Sequence, residues 1–237
     1  PFTVTDSTLK TNTVSTTANW ALAVDFEEQL TDSPVTFTNV VADTLIGFVV
    51  QHATAPFLRS PFVFSKCTFT TPTSALAFSW LEDSPITISE STMAGEASVL
   101  YVGVSLTKSP ITIVDSTFTA TLNSADRADG HVITYNVPVT DSALTITGST
   151  LKTVGADAIP ASGVMFMWPV TDCPVTVTGS DISVKDAAIN FFAGPVTRCD
   201  VKVTDTVLTA GTAFDWLVIT DPADSDVAVK DSQLRRP

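Results

Sequence analysis

Cations are scarce in this sequence. Its 237 residues hold 12 Lys and Arg against 25 Asp and Glu, a formal net charge of −13. Phosphate backbones are gripped by clustered Lys and Arg, so this balance excludes nucleic acid as a partner. Charge of either sign is thin: 16% of residues are charged and 44% are apolar. That proportion excludes an intrinsically disordered chain. Long apolar runs are lacking too, and none approaches the roughly 18 residues of a membrane helix, so no membrane insertion is expected. Three cysteines are too few for a disulfide scaffold, and packing must hold the fold. There is no CxxC, no Gly-rich phosphate loop and no Asn-x-Ser/Thr sequon, which leaves O-glycosylation of the dense Ser and Thr as the glycan route.

What the sequence has is repetition. A phrase of the form Pro-apolar-Thr-apolar-Thr-Asp-Ser-Thr-apolar appears as PFTVTDSTL at Pro1, PVTFTNVVA at Pro34, PFVFSKCTF at Pro61, PITISESTM at Pro85 and PITIVDSTF at Pro110. It continues as ALTITGSTL at Ala143, PVTVTGSDI at Pro174, DVKVTDTVL at Asp200 and DVAVKDSQL at Asp226. These nine copies recur about every 28 residues, within the range of solenoids. The first half of each alternates: Ile86 and Ile88 face one way, Thr87 and Ser89 the other, which describes a strand with one buried face. The alternation then slips at Asp6, Asn39, Lys66, Glu90, Asp115, Gly148, Gly179, Asp205 and Asp231. Asp, Asn and Gly tolerate the left-handed backbone of a corner. A small residue such as Ser91 or Ser116 and then a large apolar one such as Met93 or Phe118 return to the inside, giving a second short strand.

A third strand precedes each copy, as in ALAFSWL, VLYVGVSL, HVITYNVPV and VMFMWPV. Near its end an apolar column is expected at Leu30, Leu58, Leu81, Leu106, Val139, Val170 and Val196, broken by Pro222. Length variation falls between the second and third strands, which places the loops on one edge. Three short strands per turn without helical periodicity predict an all-β, right-handed parallel β-helix (β-solenoid) of about nine turns, the hand following from the general chirality of parallel crossovers. Residues 1–237 read as a single β-helix segment. With no Met before Pro1 and no closing element at Arg235-Arg236-Pro237, the expectation is a segment excised from a longer repeat protein.

Stacking makes a test, because columns must be chemically coherent. The residue before each repeat is Ser33, Ser60, Ser84, Ser109, Ser142, Cys173, Cys199 and Ser225. Cα atoms one strand spacing apart, about 4.8 Å, lie within disulfide range. Cys173 and Cys199 are therefore either a bridge, implying an oxidising compartment, or two reduced thiols in serine-sized slots, and both readings stay open. Cys67 belongs to the inward column after the corner and reads as a small buried hydrophobe. One residue before the Ser/Cys column runs Asp32, Arg59, Asp83, Lys108, Asp141, Asp172, Arg198 and Asp224. It reads as a solvated charge ladder whose pairs contribute little.

Catalytic chemistry is poorly represented. His52 and His131 are the two histidines, and neither has a repeated carboxylate partner, so no catalytic residues, cofactor or metal are assigned. Carboxylates gather in DPADSD (Asp221, Asp224, Asp226) and ADRADG (Asp126, Asp129), but neither string is a calcium loop. Thr36/Thr38, Thr145/Thr147 and Thr176/Thr178 form outward Thr-x-Thr pairs of the kind ice-binding solenoids use, interrupted by Val63, Val114, Lys202, Ala228 and Lys230. Outward aromatics for a sugar groove are sought at Phe57, Tyr101 and Phe191.

The inferred coil resembles the pectin-lyase-like right-handed β-helix superfamily, whose enzymes cut acidic polysaccharides. The Arg or Lys bases and carboxylate–His sets that the resemblance would require are absent from this sequence. The repeat style, Ser-Pro-Val/Ile-Thr-Val/Ile-Thr-x-Ser-Thr-Leu/Phe, is similar to large extracellular surface and filament proteins among bacterial adhesins and the giant surface proteins of kinetoplastid and related protists. That resemblance implies a non-catalytic rigid spacer or assembly module, secreted or on the cell surface. Its partners would be neighbouring β-helix segments of the same or other chains, with glycans as a further class. A carbohydrate-binding or polysaccharide-cleaving domain is the alternative, and an ice-binding solenoid a minor one.

Overall fold

A computed structural model of the chain describes residues 1–11, 24–26, 28–44, 50–51, 56–122, 130–155, 161–211, 216–219 and 222–236. Among these the regular structure is all β-strand, arranged as a parallel β-solenoid. Each strand pairs with its equivalents one repeat earlier and later, and the pairings are parallel. The first strands form one ladder: Phe2–Thr11, Val35–Thr44, Phe62–Ser65, Ile86–Ser89, Ile111–Val114, Leu144–Thr147, Val175–Thr178, Val201–Thr204 and Val227–Lys230. The second strands stack beside it from Thr68–Thr70 to Gln233–Arg235, giving a 16-stranded sheet. The third strands make a separate 14-stranded sheet.

Register within the ladders follows the repeat phrase residue for residue. Ile86 pairs with Phe62 and Ile111, and Thr87 with Val63 and Thr112. The pleat then does the sorting: alternate positions of Ile86–Ser89, Ile111–Val114, Leu144–Thr147 and Val175–Thr178 are buried and half-buried in turn. One continuous core results, from Val35 to Leu208. Like side chains also stack down its axis. The rings of Tyr135, Phe166 and Phe191 lie 4.5 and 4.6 Å apart and almost parallel, and Phe37 stacks on Phe64 at 5.2 Å.

One expected column is corrected by the third ladder. Leu30 pairs with Phe57, and Phe57 with Leu81. The inward residue of that turn is therefore Phe57, fully buried against Phe62 and Phe78, and Leu58 stands on the outer side. Phe57 stands four residues before its repeat, as Leu30 and Leu81 do before theirs, whereas Leu58 stands three before, so the common spacing to the bend puts Phe57 inside. Pro222, expected to break the column, keeps its place opposite Val196. Its strand is the last of that ladder, an edge where a missing N–H is tolerated.

The corners explain the slips in alternation. All nine slip positions, from Asp6 to Asp231, have positive φ, between 48° and 58°. The same conformation occurs at a second corner, at Asp32, Arg59, Asp83, Lys108, Asp141, Asp172, Arg198 and Asp224. The column read as a charge ladder is thus first of all a line of bends.

Candidate functional site

At both corners the left-handed residue is followed by Ser, Thr or Cys, except that Val40 follows Asn39, and these residues build two hydrogen-bonded columns inside the rod. In the first, the amide of Ser33 donates to Ser60 Oγ (3.1 Å), Ser60 to Ser84 (2.9 Å), Ser84 to Ser109 (2.9 Å) and Ser109 to Ser142 (3.0 Å). The series runs on through the thiols: Ser142 donates to Cys173 Sγ (3.3 Å), Cys173 to Cys199 Sγ (3.2 Å), and Cys199 to Ser225 Oγ (2.9 Å). The second corner column runs from Cys67 through Ser91, Ser116, Ser149, Ser180 and Thr206 to Ser232 in the same way. Each hydroxyl or thiol also donates to the carbonyl two residues before it, as Ser116 does to Val114 (2.7 Å) and Cys173 to Thr171 (3.1 Å). Each of these side chains therefore serves two groups, donating to a carbonyl of its own bend and accepting the amide of the turn before. Cys67 does more than fill space: its Sγ donates to the Ser65 carbonyl at 3.4 Å.

Cys173 and Cys199 thus sit at equivalent bends of adjacent turns, as the stacking requires, both buried and unbridged. Their sulfurs interact directly. The Cys199 thiol is pulled below its ordinary value, chiefly by the Cys173 side chain, with the Cys173 amide adding to it. The neighbouring Cys199 side chain and burial together hold the Cys173 thiol well above the ordinary range. Burial also pushes the Tyr135 phenol up.

The remaining candidates come apart. His52, Asp126, Asp129 and Asp221 lie outside the described residues. His131 is buried, and its Nδ1 accepts the Ser162 amide at 3.0 Å, while Ser162 Oγ donates to Asp186 at 3.0 Å. A nucleophilic serine hands its proton to histidine; here the histidine takes the amide and the hydroxyl goes to the carboxylate. Among the described residues no group of three or more His, Cys, Asp or Glu is placed to hold a metal ion. Asp224 is a corner residue, and Asp200 Oδ1 accepts the Asp226 amide at 3.0 Å. The outer Thr columns are interrupted at Val63 and Lys202 in the observed register, so no regular hydroxyl lattice forms. At the bends, Arg59 makes two hydrogen bonds to Asp32 (2.7 and 2.8 Å) and Arg198 two to Asp172 (2.6 Å each).

The aromatic expectation is half corrected. Phe57 and Phe191 are buried and point inward, because their positions belong to inward columns of the third ladder. Tyr101 does stand outside, and others join it that column counting missed. Trp80, Trp168 and Phe192 are 41%, 51% and 62% exposed. Between them, Asn136 Nδ2 donates to Tyr101 Oη (3.0 Å) and Trp168 Nε1 donates to Asn136 Oδ1 (3.3 Å). Gly103 makes room: a Cβ there would come within 2.7 Å of the Tyr101 ring. Three to six residues further along the same turns, one pairing apart each, stand the half-buried hydroxyls of Thr107, Thr140, Thr171 and Thr197.

No protein-family model and no curated protein matches the chain. Among solved structures, that of QnrB1, a plasmid-mediated fluoroquinolone resistance protein, aligns over 99% of this chain and 91% of its own, at 13% identity and a TM-score of 0.21. A likeness that weak carries no argument.

Proposed function

We propose that the chain is a non-catalytic structural segment of a secreted or cell-surface fibre, appendage or adhesin, wound right-handed in the manner of pectin-lyase-like helices but without their chemistry. The observation that carries this reading is the unbroken phase of the repeat. One set of columns runs in a single register from Phe2 to Arg235. Repeats that keep one phase stack on further repeats of the same kind, which suits a spacer or assembly module. The acidic, hydroxyl-rich exterior suits a soluble surface protein.

Sedimentation velocity and negative-stain microscopy test the proposal. Rods that associate end to end as concentration rises are expected, and Leu234→Asp should suppress the association without shortening the rod. A chain that stays monomeric at all concentrations, or one that depolymerises polysaccharide, would sink the spacer reading.

A further inference from the structure

We propose that the outer strip formed by Trp80, Tyr101, Asn136, Trp168 and Phe192 binds a neutral polysaccharide chain laid along the rod. The five residues come from five successive turns of the third ladder, so the strip is about four strand spacings, roughly 19 Å, long. Exposed rings in a row are uncommon on a soluble surface and mark a contact site. Asn136 uses both halves of its amide here, its NH2 on the Tyr101 oxygen and its carbonyl on the Trp168 N–H. The polar edges of both rings are therefore held, and what Trp168 offers outward is ring carbon. Such surfaces complement the C–H faces of sugar rings, whereas flanking hydroxyls complement their rim.

The hydroxyl flank is present as Thr107, Thr140, Thr171 and Thr197, continued by Glu82 at one end. No Lys or Arg lies among the five residues, and the chain as a whole carries −13. An acidic polymer would be repelled at long range, which commits the strip to an uncharged partner. A protein partner has no need of a hydroxyl row running parallel to the rings for the length of the strip. A linear glycan, with an apolar face and a hydroxyl rim in every unit, uses both. The spacer reading does not depend on this site, nor the site on it.

Native affinity electrophoresis through gels holding hydroxyethylcellulose, laminarin or xyloglucan, with polygalacturonate as the acidic control, tests the site. Retardation by at least one neutral polymer and none by polygalacturonate is expected. The double variant Trp168→Ala/Phe192→Ala should weaken binding by about tenfold or more. Asn136→Ala, which frees the ring edges without removing a ring, should weaken it less. Both variants alter exposed or half-exposed groups, so far-UV dichroism and thermal melting should stay near those of the parent, and rod length and end-to-end association should not change. Three results would overturn the proposal: no retardation on any neutral polymer, retardation that survives the double variant, or a lateral dimer that the double variant dissolves, which would make the strip a contact between copies.

Discussion

Val203 and Val229 are the same residue, paired in register on adjacent strands and facing the same way. Val203 is fully buried and Val229 is 37% exposed. Leu208 and Leu234 repeat the contrast, at 0% and 46%. At the other end Phe2 is 39% exposed while its partner Val35 is sealed. Local conformation is alike in each pair, and what differs is whether another turn lies on top. A turn of this coil buries almost nothing by itself, so stability resides in the interfaces between turns, as in a one-dimensional array.

Removing a side chain from the middle should therefore cost far more than removing its equivalent at the end. Phe64 touches Phe37, Phe62 and Phe69 from three sides. Phe64→Ala should lower unfolding stability by about 3–5 kcal/mol through lost burial and a cavity. Leu234→Ala should cost less than about 1 kcal/mol. Urea unfolding at constant m separates the two, and equal costs would break the comparison.

The buried polar columns should show the same gradient at smaller size. Ser116→Ala strands the buried Ser91 amide, which donates to Ser116 Oγ at 3.1 Å, and should cost about 1–3 kcal/mol. Ser232→Ala frees the Thr206 amide next to the open end, where water can replace the hydroxyl, and about 0.5 kcal/mol is expected. Were both substitutions equally costly, water would have to be excluded from the terminal turn by a partner not seen here.

Much of this was legible without coordinates, for a physical reason: in a stacked coil the neighbour of a residue is the next copy of itself, so repeat phase is tertiary structure. Alternation at Ile86–Ser89 gives the inward face, and Asp, Asn and Gly at the first corner give the left-handed bends. The second corner was not legible as a bend although five of its eight residues are Asp, because no slip in a strand's alternation marks it and its three cations suggest a charge ladder instead. Their conformation is held by the Ser or Cys that follows, a bond made across turns. Phe57 was legible too, since it and not Leu58 keeps the four-residue offset from the repeat that Leu30, Leu81 and Leu106 share. The aromatic strip was not legible. The register of Leu76–Glu82 against Leu100–Thr107 shifts between Val102 and Ser105, so counting along the chain puts Trp80 out of line with the turns that follow.

Within the first polar column, the two cysteines allow a finer cut. Cys173→Ser restores the residue found above it at Ser142 and should change stability by less than about 1 kcal/mol. Cys173→Val removes the acceptor of the Ser142 amide and should cost about 1–3 kcal/mol. If the chain matures in an oxidising compartment, intact mass under non-reducing conditions should show two hydrogens lost, with Cys173 and Cys199 in one crosslinked fragment. Free thiols at both positions in protein taken from its native compartment would assign them the serine role alone.

The smallest effect belongs to the bends, where middle and end should not differ, because these groups face water everywhere along the rod. Arg59 holds the Asp32 carboxyl below its ordinary value of 3.8, and Arg198 does the same for Asp172, in each case mainly by hydrogen bonding. A carboxyl whose folded pKa is depressed contributes stability that is fully present above the unfolded pKa and is lost as pH falls through the folded one. Arg59→Met should therefore melt slightly below the parent at pH 7, and the gap should close below about pH 3. Because both partners are solvent-exposed, 0.5 M salt should shrink the gap at pH 7 as well. Arg198→Met should behave alike although it lies nearer the other end. A gap that persists at low pH would mean that the arginine stem, packed along the corner, matters more than its charge.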